Sequence, residues 1–121
     1  MIKSLVTILI VGFSICLHAQ KPKEQFLLIG TYTPDANSDG IYVYKFNSET
    51  GENSFVSSVK TSNPSYLAIS PNKKYVYAVN ENADSTRFTV TGHVAAFSFD
   101  KTTGKLNFIN KHESGGKHPC Y

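Results

Sequence analysis

The last ten residues of the 121-residue chain hold several side chains whose types suit chemistry. His112, His118 and Cys120 are potential metal ligands, and the GGK sequence at 115–117 resembles part of a phosphate-binding loop. The histidine and cysteine spacing matches none of the usual zinc patterns. The GGK sequence lacks the earlier glycine and the Ser or Thr after the lysine that a phosphate loop needs. Cys120 is interpreted as a small buried apolar residue at the start of an inner strand, with a nucleophilic thiol as the alternative. We therefore expect no metal site.

Composition and charge indicate a folded domain. The chain is 40% hydrophobic, 12% aromatic and 17% charged, which is typical of soluble folded proteins. Its net charge of +3 comes from scattered residues, so we expect no nucleic-acid partner. Two cysteines can form at most one disulfide, which excludes a disulfide-rich scaffold.

The N-terminal segment has the features of an export signal. Lys3 supplies a positive charge, residues 5–17 are almost wholly apolar, and Ala19 marks a cleavage site. A transmembrane anchor or a buried helix is the alternative, but a bilayer span needs about 20 apolar residues. We predict a secretory signal peptide over 1–19, a short linker over 20–25, and a periplasmic or secreted protein without a membrane anchor after cleavage.

From Phe26 onward, the apolar residues form short clusters rich in Val, Ile, Phe and Tyr, separated by turn-forming residues. No long window has a helical period, so the predicted fold class is all-β. Seven strands are predicted, over 26–32, 41–46, 55–61, 66–70, 75–80, 94–99 and 106–112. In the fifth of these, Tyr75 and Tyr77 alternate onto one face.

Matching segments indicate an internal repeat. The matching pairs are 47–51 with 100–104, 26–33 with 75–82, and 63–66 with 118–121. The first pair ends in glycine, which supplies the positive φ of a hairpin loop. A period of about 50 residues with four short strands is the size of one β-propeller blade. Chance similarity in a chain rich in glycine and tyrosine is the alternative.

The period of the repeat also indicates how many propeller blades the chain can contain. A propeller has about four to eight blades of four strands each, and residues 26–121 hold only about one and three-quarter antiparallel blades. The first three strands lack an inner strand, and a new inner strand begins at Pro119. We therefore predict the N-terminal part of a propeller, truncated at its C-terminus with the remaining blades missing. A self-contained sandwich or barrel is the alternative.

An ordered set of short sequences carries a family resemblance. The set is GTYT at 30–33, GIYVY at 40–44, NPSYLAISP at 63–71, YVYAVNE at 75–81 and GGKHPC at 115–120. Over 26–121 the chain resembles the propeller-type lactonases, which are similar to 6-phosphogluconolactonases and carboxymuconate lactonising enzymes. The resemblance implies a seven-bladed propeller that hydrolyses a sugar lactone without a cofactor or metal. Its substrate would be a small-molecule lactone or a sugar-acid derivative, and the piece alone would be inactive. The alternative is a non-catalytic exported propeller that binds carbohydrate or protein.

In an antiparallel four-stranded blade, the turns alternate between the two faces of the propeller disc. The starts of inner strands and the ends of second strands therefore lie on one face. We call the part of this face that is formed by segments 32–33, 63–66, 80–82 and 118–120 the rim. Functional residues concentrate on loops that a rigid scaffold holds, so we expect the site on the rim.

Lactone hydrolysis needs a base that activates water and donors for the developing oxyanion. Glu81 and His118 are the candidate bases. The candidates for substrate binding are Tyr32, Asn80, Arg87 and Lys117. Of these, the cationic side chains of Arg87 and Lys117 could bind an anionic group of the substrate. Structural alternatives are a solvated turn for Glu81, an extended loop for His118 and solvent exposure for Arg87.

Overall fold

The fold consists of β-strands. The computed structural model describes residues 24–34, 37–82 and 91–121. Within these ranges the strands are β1 (Glu24–Gly30), β2 (Gly40–Asn47), β3 (Asn53–Lys60), β4 (Pro64–Ile69), β5 (Tyr75–Asn80), β6 (His93–Asp100) and β7 (Lys105–Glu113). The seven predicted strands are all present, with bounds that move by at most two residues. The all-β prediction is confirmed.

Two predicted features, the signal peptide over 1–19 and Arg87, lie outside the described residues. The linker predicted over 20–25 overlaps β1, because Glu24 already pairs with Asn47 of β2. Within the described ranges, no helix has the length and apolar composition needed to cross a membrane.

The strands form two antiparallel sheets. The first has the order β1-β2-β3 and the second has the order β4-β5-β6-β7. Within each sheet, every strand pairs with its sequence neighbour, as in an antiparallel meander. Both sheets thus have the strand order of propeller blades, one with four strands and one with three.

Packing between the two sheets forms the hydrophobic core. Its buried members are Ile41, Val43, Val76, Ala78, Ala95, Phe97 and Leu106. They alternate along the strands with residues of the opposite face, as the pleat requires. Tyr75 and Tyr77 share that opposite face, as predicted, and are 40% and 43% exposed. Complete burial of one side chain such as Phe97 contributes about 1.5 to 3 kcal/mol.

The two glycine-ended turns have the same structure. Gly51 and Gly104 have φ of 77° and 72°, and their amides donate to the carbonyls of Asn47 and Asp100 at 2.9 and 2.7 Å. The side-chain Oδ1 of Asn47 and of Asp100 each accepts hydrogen bonds from two amides inside its turn. The predicted equivalence of these turns is confirmed.

Candidate functional site on the rim

Two residues that precede prolines share an unusual backbone conformation on the rim. Asn63 has φ of 40° and His118 has φ of 47°. Non-glycine residues seldom adopt this left-handed region, although Asn and His are enriched there. The matching sequences at 63–66 and 118–121 therefore begin with the same backbone geometry, which supports the repeat. The extended loop expected at His118 is wrong, because a positive φ turns the chain there.

Asn63 joins the loops of both sheets. Its Oδ1 accepts a hydrogen bond of 2.7 Å from the backbone amide of Thr33. Its Nδ2 donates to Asn82 Oδ1 at 2.8 Å, and its carbonyl accepts the amide of Glu81 at 3.0 Å. Asn63 belongs to the predicted rim segment 63–66 but is not among the predicted site residues. No local signal in the sequence identifies it, because its partners Thr33 and Asn82 come from distant segments.

Tyr32 and Glu81 form a hydrogen-bonded pair on the rim. The Tyr32 hydroxyl donates a hydrogen bond of 2.7 Å to Glu81 Oε2. Hydrogen bonds from Tyr32 and then Ser65 hold the pKa of Glu81 below its usual value, and the charge of His118 acts in the same direction. The bond to Glu81, followed by partial burial, raises the pKa of Tyr32, and the nearby Cys120 adds to this shift. His118 and Cys120 are therefore the ionisable groups of the same rim whose charges act on this pair.

The other candidates are placed differently. Asn80 is only 4% exposed, and its Nδ2 donates to Thr61 Oγ1 at 2.8 Å, so this amide braces the loop after β3. Lys117 is exposed on the loop that follows β7. Of the predicted site residues, the structure joins Tyr32 and Glu81 by a hydrogen bond, and the charge of His118 acts on Glu81.

No metal cluster occurs in the part of the chain that the structure describes, where no three His, Cys, Asp or Glu side chains are grouped to hold an ion. Cys120 is a free, exposed thiol, so the burial predicted for it is wrong. His112 lies near the end of the outer strand β7.

The side chains of Tyr32, Glu81 and His118 suit the binding of a hydroxylated compound. Glu81, with its lowered pKa, is ionised at neutral pH and accepts hydrogen bonds from hydroxyl groups. The same shift makes it a weaker proton acceptor than an ordinary carboxylate. Tyr32 is 60% exposed and presents a ring and a hydroxyl to solvent. His118 is the nearby group whose side-chain type is best suited to proton transfer.

A family model described as Lactonase, 7-bladed beta-propeller matches residues 26–121. The chain belongs to this lactonase family. The two antiparallel sheets are accordingly blades of the seven-bladed propeller that the resemblance implied.

Two relatives of this lactonase-family chain are 6-phosphogluconolactonases. The protein from Formosa agariphila is 36% identical over 96 residues, covering 78% of this chain and 26% of the relative. The protein from Bacillus subtilis is 35% identical over 94 residues, covering 77% and 25%. The chain thus spans about a quarter of the length of these relatives.

Solved structures of the family are also similar. A candidate 6-phosphogluconolactonase from Bacteroides fragilis matches with a TM-score of 0.74 and 42% identity, over 83% of this chain and 26% of the other. A periplasmic gluconolactonase from Pseudomonas aeruginosa matches with a TM-score of 0.67 and 33% identity, over 79% and 26%.

Proposed function

We propose that the complete protein hydrolyses a sugar lactone at a site that includes the Tyr32–Glu81 pair. The observation that carries this proposal is the hydrogen bond between Tyr32 and Glu81, which joins a phenol and a carboxylate from two blades on the rim. The names of the relatives, 6-phosphogluconolactonase and gluconolactonase, support lactone chemistry. Residues 26–121 alone are expected to be inactive, because the family's propeller has seven blades around the site.

In this proposal His118 acts as the base and Glu81 as a positioning residue. The imidazole takes a proton from water while the water oxygen bonds to the lactone carbonyl carbon. The ring C–O bond then breaks, and the released oxygen receives the proton to give the hydroxy acid. Glu81 holds Tyr32 in place and accepts hydrogen bonds from substrate hydroxyls. Lys117 and Arg87 remain the proposed contacts for an anionic substrate group.

The test is a lactonase assay on the product of the complete reading frame. The probes are glucono-1,5-lactone and 6-phosphogluconolactone, with ring opening followed by acid release. We expect turnover of at least one probe, a loss of at least about tenfold in kcat for His118→Gln, and a raised KM for Glu81→Gln. The matched control for His118 is His112→Gln, on the outer strand β7. The matched control for Glu81 is Glu52→Gln, in a turn on the opposite face.

The outcomes separate catalysis from binding alone. No ring opening of either probe would contradict the lactonase proposal. Sugar-acid binding that persists without turnover would favour the exported binding module. Equal losses in the rim variants and their controls would show that the substitutions act through stability and would remove the assigned roles.

We propose that the protein is exported and acts on a lactone outside the cytoplasm. The predicted signal peptide over 1–19 supports this, as does the periplasmic relative from Pseudomonas aeruginosa. A phosphorylated sugar lactone arises inside cells, so we expect glucono-1,5-lactone to be the better probe. N-terminal sequencing of the protein from the cell envelope or medium should give Gln20 as the first residue. An intact Met1 in the cytoplasmic fraction would contradict export.

A further inference from the structure

Asn63 is hydrogen-bonded to the residue that directly follows Tyr32. Its Oδ1 accepts from the Thr33 amide at 2.7 Å and from the Thr33 hydroxyl at 3.2 Å. The Thr33 hydroxyl oxygen in turn accepts the backbone amide of Asn63 at 3.1 Å. Three hydrogen bonds therefore fix the chain next to Tyr32, in the first blade, to the loop before β4.

Asn63 is also hydrogen-bonded to Glu81 and to the residue after it. Its carbonyl accepts the Glu81 amide at 3.0 Å, and its Nδ2 donates to Asn82 Oδ1 at 2.8 Å. The Asn82 amide donates to the carbonyl of Asn80 at 2.8 Å, so Glu81 is the central residue of a three-residue turn. This tight turn is therefore held against the same loop that holds Tyr32.

The residue type at position 63 suits both sets of contacts. An asparagine side chain offers an acceptor and a donor on one planar group, and these two ends bond to Thr33 and Asn82. Asparagine also tolerates the left-handed backbone, with φ of 40°, better than most residues do. Position 63 thus connects one blade to the next through a single side chain.

The Tyr32–Glu81 hydrogen bond needs such support because it is exposed. Tyr32 is 60% exposed, so water competes for both partners of the bond. Ordering two exposed side chains in one geometry also costs conformational entropy. When the backbone beside each of them is already fixed, less freedom is lost as the bond forms.

We propose that Asn63 is a positioning residue of the candidate site, which holds Tyr32 and Glu81 of the two blades at the separation that their hydrogen bond requires. Asn63 acts through Thr33 on one side and through the turn at Glu81 on the other. Its effect on substrate binding rests on the proposed lactonase function, whereas its effect on the pair does not.

The first test measures the pKa of Glu81 by carboxyl carbon NMR in the product of the complete reading frame. Asn63→Gly keeps the left-handed backbone and the carbonyl that accepts the Glu81 amide, but it removes the side-chain amide group. We expect it to raise the pKa of Glu81, because the hydrogen bond from Tyr32 is the main cause of the lowering. The matched control Asn47→Gly removes a side chain that also accepts two amides, in a turn on the opposite face, and should leave that pKa unchanged.

A double-mutant cycle separates positioning from a direct effect on the carboxylate. In the Tyr32→Phe background the hydrogen bond is already absent, so Asn63→Gly should add less than about half of the shift that it causes in the wild type. If Asn63→Gly does not fold, Asn82→Ala takes its place in the cycle. This variant removes the contact with Asn63 Nδ2 but keeps the three bonds to Thr33, and it should move the pKa of Glu81 in the same direction.

The second test uses the turnover of glucono-1,5-lactone. Asn63→Gly should raise KM by at least about threefold and leave kcat within about twofold, because a displaced Glu81 binds the substrate hydroxyls less well. Asn47→Gly should leave KM within about twofold. A loss of stability alone lowers the amount of folded enzyme without changing KM, so the two roles give different results.

The outcomes distinguish this proposal from the lactonase proposal. A raised pKa of Glu81 that is specific to Asn63→Gly and shrinks in Tyr32→Phe, together with a raised KM, supports the positioning role. An unchanged pKa, an equal shift in Asn47→Gly, or a full shift in the Tyr32→Phe background would overturn it, and so would an unchanged KM in an active enzyme. If the wild type turns over neither lactone, the lactonase proposal fails, and the NMR comparison still decides whether Asn63 positions the pair.

Discussion

The hydroxyl of Tyr32 donates a hydrogen bond to Glu81 Oε2 across 49 positions of sequence. Tyr32 follows β1 of one sheet and Glu81 follows β5 of the other. Segments 26–33 and 75–82 match in the repeat, so these two residues occupy equivalent positions in successive blades. The contact therefore forms only when the two sheets pack as neighbours, and it makes the rim a joint product of both blades.

Removal of the Tyr32 hydroxyl should change how Glu81 titrates. The hydrogen bond from Tyr32 to Glu81 favours the ionised carboxylate and the neutral phenol. It therefore stabilises the fold at pH values above the ordinary pKa of a carboxyl group. That contribution is lost as pH falls through the lowered pKa of Glu81, and again as pH rises through the raised pKa of Tyr32. We expect Tyr32→Phe to raise the pKa of Glu81, as measured by carboxyl carbon NMR. Tyr66→Phe, at another exposed tyrosine near the rim, should leave that pKa unchanged.

The two equivalent turns should tolerate alanine unequally. A Cβ at Gly104 would lie 2.6 Å from Phe26 Cε1 and 2.8 Å from Val56 Cγ1, whereas a Cβ at Gly51 meets nothing within 4 Å. Gly51→Ala should lower the free energy of unfolding by about 1 to 2 kcal/mol, the cost of a left-handed alanine. Gly104→Ala should cost about 1 to 3 kcal/mol more through overpacking. Denaturant unfolding measures both, and equal losses would contradict the close packing at Gly104.

Two substitutions at Asn63 should separate backbone strain from lost hydrogen bonds. Asn63→Gly keeps the left-handed conformation but leaves the Thr33 amide without its acceptor, which should cost about 1 to 3 kcal/mol. Asn63→Ala loses the same bonds and adds about 1 to 2 kcal/mol of strain. Thermal or denaturant unfolding should rank the alanine variant below the glycine variant. The reverse order would contradict the left-handed assignment.

The turn at Asp100 should contribute to acid sensitivity. Hydrogen bonds from the Thr103 hydroxyl and then the Thr102 amide lower the pKa of the Asp100 carboxyl. Its stabilising effect is present above the ordinary carboxyl range and is lost as pH falls through this lowered pKa. Asp100→Asn makes this turn like the one at Asn47 and removes the titrating group. We expect the Tm difference between wild type and Asp100→Asn to shrink as the medium is acidified, and a constant difference would contradict the prediction.

Local sequence patterns were sufficient to predict the strands and turns. The alternation of Tyr75 and Tyr77 and the glycines at 51 and 104 depend on the geometry of a few neighbouring residues, so the sequence predicts them directly. The repeat of these patterns also predicted two blades and the face on which Tyr32, Glu81 and His118 lie.

The contacts within the candidate site could be identified only from the tertiary structure. Nothing local distinguishes Asn63 as the residue that joins both sheets, or assigns Asn80 to bracing a loop instead of facing solvent. The left-handed backbone at His118 also escaped prediction, because a residue before proline is usually extended.

The sequence by itself determined the all-β class, the strand positions, the repeat and the family resemblance, because each follows from residue types at short spacing. Only the tertiary structure decided which side chains meet, such as Tyr32 with Glu81 and Asn63 with Asn82. Hydrogen bonds and grooves between sheets depend on how two distant segments pack. That packing is set by the shared core, so short-range patterns do not specify it.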